Sequence, residues 1–268
     1  MKQLKIDSVE ELLTSINELP NSFLYRGQAD ADWRLQSSLE RILGDDWTAE
    51  NAQKFEEFSL KQFCSKFHLY DRENVTPNSK LAWLSVMQHH GVPTRLLDFT
   101  GSPYVALYFA LEAYNPLTQR DLALFAFDYS AILEQSINQI KSKDSAFQET
   151  RASLVDKQDE IFESIVDRFA YDIAWVTEPK VLNARLDRQA GSFLLSGNRG
   201  VRIQDILASS LYSNCRIYKY LIPHSLYHGI FALLRKMNIT SKSLYGDLDG
   251  LARAIRMEMQ VYASNPSH

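Results

Sequence analysis

Cysteine is scarce in this chain of 268 residues: there are two, Cys64 and Cys215, widely separated in sequence. Two such residues make no disulfide framework, and the expectation is a reducing, cytoplasmic compartment. No apolar run approaches the roughly 20 residues that cross a bilayer, so no membrane partner is expected. The start, Met1-Lys2-Gln3-Leu4-Lys5-Ile6-Asp7, lacks the apolar centre of a signal peptide. Neither sign of charge dominates. A net charge of −4 argues against a surface given over wholly to nucleic acid, although it leaves room for a local basic groove. Glycine is thin, with 10 residues, and no Gly-rich dinucleotide turn, P-loop or kinase set is present. Gly101-Ser102-Pro103 is not a nucleophile elbow, since proline follows the serine and the second glycine is missing. Metal ligation finds little support. His89 and His90 are adjacent and diverge on a helix, while His224 and His228 share a helical face without a third ligand nearby. No metal is expected. Repeats and low-complexity tracts are absent.

What is there suits one domain, residues 1–268, with ample core. Hydrophobic residues make up 45% and charged residues 23%. Ser8-Val9-Glu10-Glu11 reads as a capping box opening a helix to about Leu19. Helices are expected over Leu35–Leu43, Thr48–Leu69 and Leu81–His90, with Gly91 beyond the last as its C′ glycine and a turn-rich break from Asn74 to Ser79. Further helices are expected from Pro103, over Tyr227–Met237 and over Leu248–Tyr262. Strand candidates are Ser22–Arg26, Thr94–Phe99, Leu122–Phe127, Asp172–Val176, Arg185–Arg188, Ser192–Leu195 and Cys215–Ile222. Residues 132–170 read as a charged helical insertion or lid, peripheral to the core and dispensable for folding. Strands scattered among helices without regular alternation predict an α+β fold.

The stretch from Gln88 to Pro103 is the most informative. Thr94 to Phe99 has the length of a buried strand, yet carries Thr94, Arg95 and Asp98, and Thr100 and Ser102 follow at once. Ser102-Pro103 reads as an N-cap with proline at the first helical position, so a polar strand runs into a helix N-terminus suited to an anion. Alternation would place Thr94, Leu96 and Asp98 on one face and Arg95, Leu97 and Phe99 on the other. Asp98 and Thr100 could instead simply cap the turn. Arg26, on an apolar strand, needs an anionic or carbonyl partner: either a ligand phosphate held by its fork or a structural ion pair with Asp98. Gly27 beside it permits close approach of a ligand or of another backbone. Gln189 next to Gly191 could set an amide against a ligand, or could mark a β-bulge with an exposed glutamine. Arg185, Arg188, Arg199 and Arg202 could form a local basic edge.

Phe23-Leu24-Tyr25-Arg26-Gly27-Gln28, the block from Gln88 to Pro103, Gln189-Ala190-Gly191-Ser192-Phe193, and Leu244-Tyr245-Gly246-Asp247-Leu248-Asp249-Gly250-Leu251 resemble the FRG domain family, named for its aromatic-x-Arg-Gly motif. More distantly, the order of these clusters is similar to the layout of the ADP-ribosyltransferase superfamily. There an Arg or His on an early strand contacts NAD, a Ser/Thr-rich strand entering an Ala-x-x-Phe helix supports the nicotinamide and ribose, and a later Glu or Gln orients the ribose. The resemblance implies a mixed, mainly antiparallel central sheet split by helices, with a helical N-terminal part. It implies an enzyme that consumes NAD as co-substrate and transfers ADP-ribose to a macromolecular acceptor, protein or nucleic acid, as a toxin or phage-defence effector with a neutralising partner protein. Carried over residue by residue, Arg26, Asp98 and Gln189 would be catalytic. Tyr25, Arg26, Gly27, Thr94, Arg95, Thr100, Ser102 and Tyr108 would bind the dinucleotide. This chain has Asp98-Phe99-Thr100 where Ser-Thr-Ser is expected and Gln189 where a glutamate is usual. Glutamine is neither base nor anion, so another carboxylate such as Asp98 would serve, or the same pocket would bind a nucleotide or nucleic acid without turnover.

Overall fold

The computed structural model describes residues 1–70, 76–178 and 184–264, with the side chains of Ala184 and Arg185 outside the description. The chain opens with a short strand β1 (Lys2–Lys5) and helix α1 (Val9–Asn17). The Ser8 hydroxyl accepts the Glu11 N–H, while the Glu11 carboxylate takes the N–H of Asp7 at 2.7 Å, one residue earlier than a strict capping box would. Then come β2 (Phe23–Gln28), α2 (Ser38–Leu43), α3 (Ala49–Phe67), α4 (Lys80–His89), β3 (Leu97–Thr100) and α5 (Pro103–Ala113). The middle of the chain adds β4 (Leu122–Asp128), α6 (Tyr129–Lys143), α7 (Arg151–Leu154), α8 (Gln158–Ser164) and β5 (Ala174–Thr177). The remainder is α9 (Ala184–Arg188), β6 (Gly191–Ser196), α10 (Ile203–Leu207), β7 (Ile217–Ile222), α11 (Tyr227–Lys236), α12 (Ser241–Tyr245) and α13 (Leu248–Ala263).

The seven strands form one sheet in the order β1-β7-β4-β2-β3-β6-β5. Only β1 with β7 is parallel; the other neighbours are antiparallel, so the fold is α+β with a mixed, mainly antiparallel sheet. At its centre β4 is buried along its whole length, as its continuous apolar run requires. The join between β2 and β3 is different: they pair at the single position Tyr25↔Thr100. The sheet is thus opened by a splay between these strands.

One face carries a continuous apolar layer including Leu24, Phe125, Phe127, Leu97, Phe99 and Leu194. The opposite face is covered in two parts. Phe23, Tyr25 and Leu124 lie under α5, α11, α12 and α13, and Phe193, Leu195 and Trp175 lie under α4, α6 and α8. The gap between the two covers falls at the β2–β3 splay.

Three expectations need correction. Residues 132–170 are helical but not peripheral. Leu133, Ile137, Ile140, Phe147, Leu154, Ile161 and Phe162 pack with Trp175 and Phe193, and the buried Ser136 hydroxyl lies 2.7 Å from both the Ala174 carbonyl and the Tyr212 hydroxyl. The charges that suggested a lid occupy the outer face of amphipathic helices, whose apolar stripe at i, i+4 and i+7 faces the sheet. Next, β3 begins at Leu97 and not at Thr94. The Thr94 carbonyl accepts the Leu39 N–H at 3.0 Å and the Thr94 N–H donates to the Ser38 hydroxyl at 3.0 Å, so this backbone is bonded to α2 instead of to a strand. Finally, Arg185–Arg188 belongs to α9 and is not a strand. Within the expected break at Asn74–Ser79, Asn74 and Val75 lie outside the described residues.

Candidate functional site

A pocket of about 620 Å³ opens at the splay, within the size range of small-molecule sites. Its walls come from β2, β3, the start of β6, helices α4 and α5, the loop after β2, and Gln189 and Tyr245. The splay explains its composition. Arg26 pairs across the sheet with Phe125 and so belongs to the continuous face, whereas Asp98 pairs with Phe193 on the other face. Two closely laddered strands would send these side chains to opposite sides. Strands that touch at one position let both line one cavity.

Arg26 donates from Nη1 to the backbone carbonyl of Asp98 at 2.7 Å, and its Nε is buried without a hydrogen-bond partner. No carboxylate in the described residues forms an ion pair with it, so the structural pairing with Asp98 reduces to a contact with the main chain. Burial lowers the Arg26 pKa from its ordinary value; the nearby Asp98 charge opposes this and the Arg41 charge adds to it. Arg26 lines the pocket, and a desolvated guanidinium with a buried, unused donor is a group that lacks an acceptor.

The Asp98 side chain is exposed, and its Oδ2 accepts a 2.9 Å hydrogen bond from Gln88 Nε2. Gln88 also donates to the Leu96 carbonyl at 3.2 Å and accepts from the Thr94 hydroxyl at 2.6 Å. Thr94 is fully buried behind this glutamine and does not line the pocket, contrary to its expected role. The chain Thr94–Gln88–Asp98 orients the carboxylate from beneath.

Arg95 is also placed elsewhere. Its guanidinium is buried between Glu56, at 3.0 Å, and Asp167, and lies over the rings of Phe162 and Phe169. This is a structural ion cluster beneath α3 and α8, which Lys80 and Arg199 also join. Ser102 caps α5, accepting the Val105 N–H at 3.3 Å, and stands outside the walls of this pocket. Thr100 lines the pocket, but its hydroxyl donates to the Gln189 carbonyl at 2.6 Å and accepts the Ser102 N–H at 3.0 Å. Its hydroxyl thus builds the strand-to-helix turn. Tyr108 is buried, its hydroxyl shared with Ser241, and it offers no face to the pocket. Gly27 lies in the wall, but a Cβ there would sit 1.9 Å from the Ala106 carbonyl; the close approach is made by α5, not by a ligand.

Tyr25 is buried and contributes to the wall, with its pKa raised by desolvation and by neighbouring Tyr104. Gln189 reaches the same pocket as Arg26 and Asp98, with its amide 3.4 Å from the Leu244 carbonyl. Arg188 donates to the Tyr245 carbonyl at 2.7 Å, and a Cβ on Gly246 would collide with its guanidinium. The Gln189 and Leu244–Gly246 motifs are therefore one docked unit. The basic edge does not assemble around Arg188 and Arg199, which are committed to these internal contacts; the Arg185 side chain lies outside the described residues.

Trp33, Arg34, Gln36, Arg41 and Glu112 also stand in the pocket wall, outside the motifs that the sequence offered and with no local signal of their own, whereas Phe109 belongs to the expected Ala-x-x-Phe helix. Glu112 accepts from the Ser241 and Tyr245 hydroxyls at 2.8 and 2.7 Å and lies 3.6 Å from Arg253, so its charge is already compensated. Among the described residues no group of His, Cys, Asp and Glu could hold a metal ion, and no helix is long and apolar enough to cross a membrane.

Residues 21–119 match the model of the FRG domain family. The match takes in β2, α4, β3 and α5, hence Arg26, Gln88 and Asp98, and stops before Gln189. No curated protein and no solved structure matches the chain significantly.

Proposed function

We propose that this protein is an ADP-ribosyltransferase-like enzyme that takes NAD as co-substrate in the β2–β3 pocket. The observation that carries the reading is Arg26 beside the cavity with a buried, unused Nε donor. A diphosphate supplies the acceptor atoms that this fork lacks. The strand order adds support. The three clusters of the superfamily layout fall on β2, on β3 with α5, and at the start of β6, which are consecutive neighbours in the sheet.

In such a transfer the bond from ribose C1′ to the nicotinamide nitrogen breaks. Nicotinamide leaves with the bonding pair, and an acceptor nucleophile forms the new bond to C1′ and loses its proton. Positive charge develops on the ribose, and a carboxylate stabilises it. Of the pocket's two carboxylates in the described residues, Glu112 is already compensated, whereas Asp98 is exposed and held in one orientation by Gln88. Asp98 is therefore assigned the work that Gln189 cannot do. The acceptor is a protein or nucleic acid, in keeping with a cytoplasmic toxin or phage-defence effector that a partner protein neutralises.

Incubation with NAD and measurement of released nicotinamide tests the reading. Release that Arg26→Ala and Asp98→Asn abolish supports it; no release with any protein or nucleic acid acceptor added overturns the catalytic version. The uncharged Gln189 favours a second reading, a nucleotide-binding module without turnover. Thermal stabilisation by NAD with no product would establish that instead.

A further inference from the structure

Trp33 lines the mouth of the pocket with 53% of its surface exposed. The loop that carries it is pinned at many points. The Ala31 N–H donates to the Asp121 carbonyl at 2.7 Å, and the Ala31 carbonyl accepts from Lys219 Nζ at 2.5 Å. Arg120 holds the Asp30 carboxylate at 2.9 Å, and the Leu35 N–H donates to Gln204 Oε1 at 2.8 Å. Gln28 Nε2 donates to the Arg34 carbonyl at 3.2 Å. An indole presented to solvent by so constrained a backbone is held there; it is not the tip of a frayed loop. Among the described residues no ring and no cation is stacked on it.

Two exposed arginines line the same mouth. Arg41 spends one donor on the Gln36 carbonyl at 2.8 Å, and the Arg34 side chain makes no hydrogen bond or ion pair among the described residues. The Arg41 charge lowers the Arg26 pKa and the Asp98 carboxylate raises it, so Arg41 shares this wall with Arg26 and Asp98. A flat aromatic face beside planar forks with free donors is matched by an aromatic base that carries a phosphate.

We propose that Trp33, Arg34 and Arg41 form a subsite at the pocket mouth for a nucleoside phosphate, with the base stacked on the indole and the phosphate held by the two guanidinium groups. The subsite deepens the nucleotide reading of the pocket and rests on it. Its ligand is the adenylate half of a dinucleotide or the end of a single nucleic-acid strand, which share this chemistry.

The test titrates the full chain with AMP, adenosine and ribose 5-phosphate, read by calorimetry. AMP should bind more tightly than either of its parts. Trp33→Ala should weaken AMP roughly ten-fold, the size of a lost base–aromatic stack, with the melting temperature unchanged because the side chain is exposed. Trp33→Phe should keep most of the affinity, and Arg41→Ala should lose part of it. No AMP binding by the unaltered protein, or equal binding by Trp33→Ala, overturns the subsite. A short single-stranded oligonucleotide that displaces AMP, with affinity falling steeply in salt, identifies a strand as the source. Displacement by NAD alone identifies the dinucleotide. Nicotinamide release by a protein whose AMP affinity ignores Trp33 would sink the subsite and leave the transferase standing. Trp33-dependent AMP binding without any nicotinamide release would do the reverse.

Discussion

Arg26 crosses the seam between β2 and β3 to donate to the backbone carbonyl of Asp98 at 2.7 Å, while the carboxylate of Asp98 is bonded to Gln88. The two residues are joined through main chain, and both charged ends remain available. Arg26→Ala should therefore cost about 1.5–3 kcal/mol, the scale of one hydrogen bond to a charged group. A broken buried ion pair would instead cost about 3–5 kcal/mol. NAD affinity should fall in Arg26→Ala, and also in Arg26→Lys, since an ammonium cannot present a planar fork. Urea unfolding and NAD titration of both variants check this. A large stability loss with an unchanged NAD response would return Arg26 to a purely structural role.

Gly27→Ala should be more damaging to the fold than Arg26→Ala. The added Cβ would meet the Ala106 carbonyl at 1.9 Å, a backbone atom of α5 that no rotamer change can move. Overpacking of this kind costs about 1–3 kcal/mol, and a rigid helix backbone places this site at the upper end or beyond. Denaturant unfolding should show the loss, and retention of wild-type stability would mean that α5 does not sit against β2 as described.

Arg95→Ala tests the reassignment of an expected ligand contact to the core. Glu56 is 2% exposed, and losing Arg95 takes away the cation at its Oε2, with Lys80 and Arg199 remaining only at Oε1. The expected cost is about 3–5 kcal/mol, with ligand affinity unchanged for the fraction that remains folded. Selective loss of NAD affinity at full stability would put Arg95 back in the pocket.

Tyr227 has a buried hydroxyl without a hydrogen-bond partner, and burial pushes its pKa up to about 12. Tyr227→Phe should raise stability at neutral pH by about 1 kcal/mol, because the unsatisfied polar group disappears. The pH dependence follows by linkage. The unfolded phenol ionises near its usual value of about 10 while the folded one stays protonated, so its share of stability is intact below about pH 10 and is lost as pH rises towards 12. Tyr212 and Tyr220, also pushed up to about 12, act in the same direction. Unfolding followed from pH 8 to 12 should show falling stability, less steeply in Tyr227→Phe. An identical slope in that variant would remove Tyr227 from the alkaline transition.

The elements with strong local signals were legible in the sequence. Ser102 and Pro103 open α5, the apolar run at Leu122–Phe127 forms the buried centre of the sheet, and Gly91, with φ of +78°, follows α4. Propensity and periodicity act over a few residues, so the sequence sufficed for these. Tertiary contacts decided the rest. Thr94 has the composition of a strand, but Ser38 and Leu39 took its backbone hydrogen bonds. Residues 132–170 display their charges to sequence inspection, but only packing shows that their apolar stripe completes the core. Arg26, Asp98 and Gln189 could be singled out as polar residues in apolar surroundings, yet alternation would have separated Arg26 from Asp98. They share a cavity because β2 and β3 part after one residue pair. That splay leaves no mark on either strand alone, because it is a property of how two sheet halves, each covered by its own helices, settle against each other. Trp33 and Arg34 reach the pocket wall through contacts just as distant: Asp121, Lys219 and Gln204 fix their loop, and nothing in the loop's own sequence announces where it will be held.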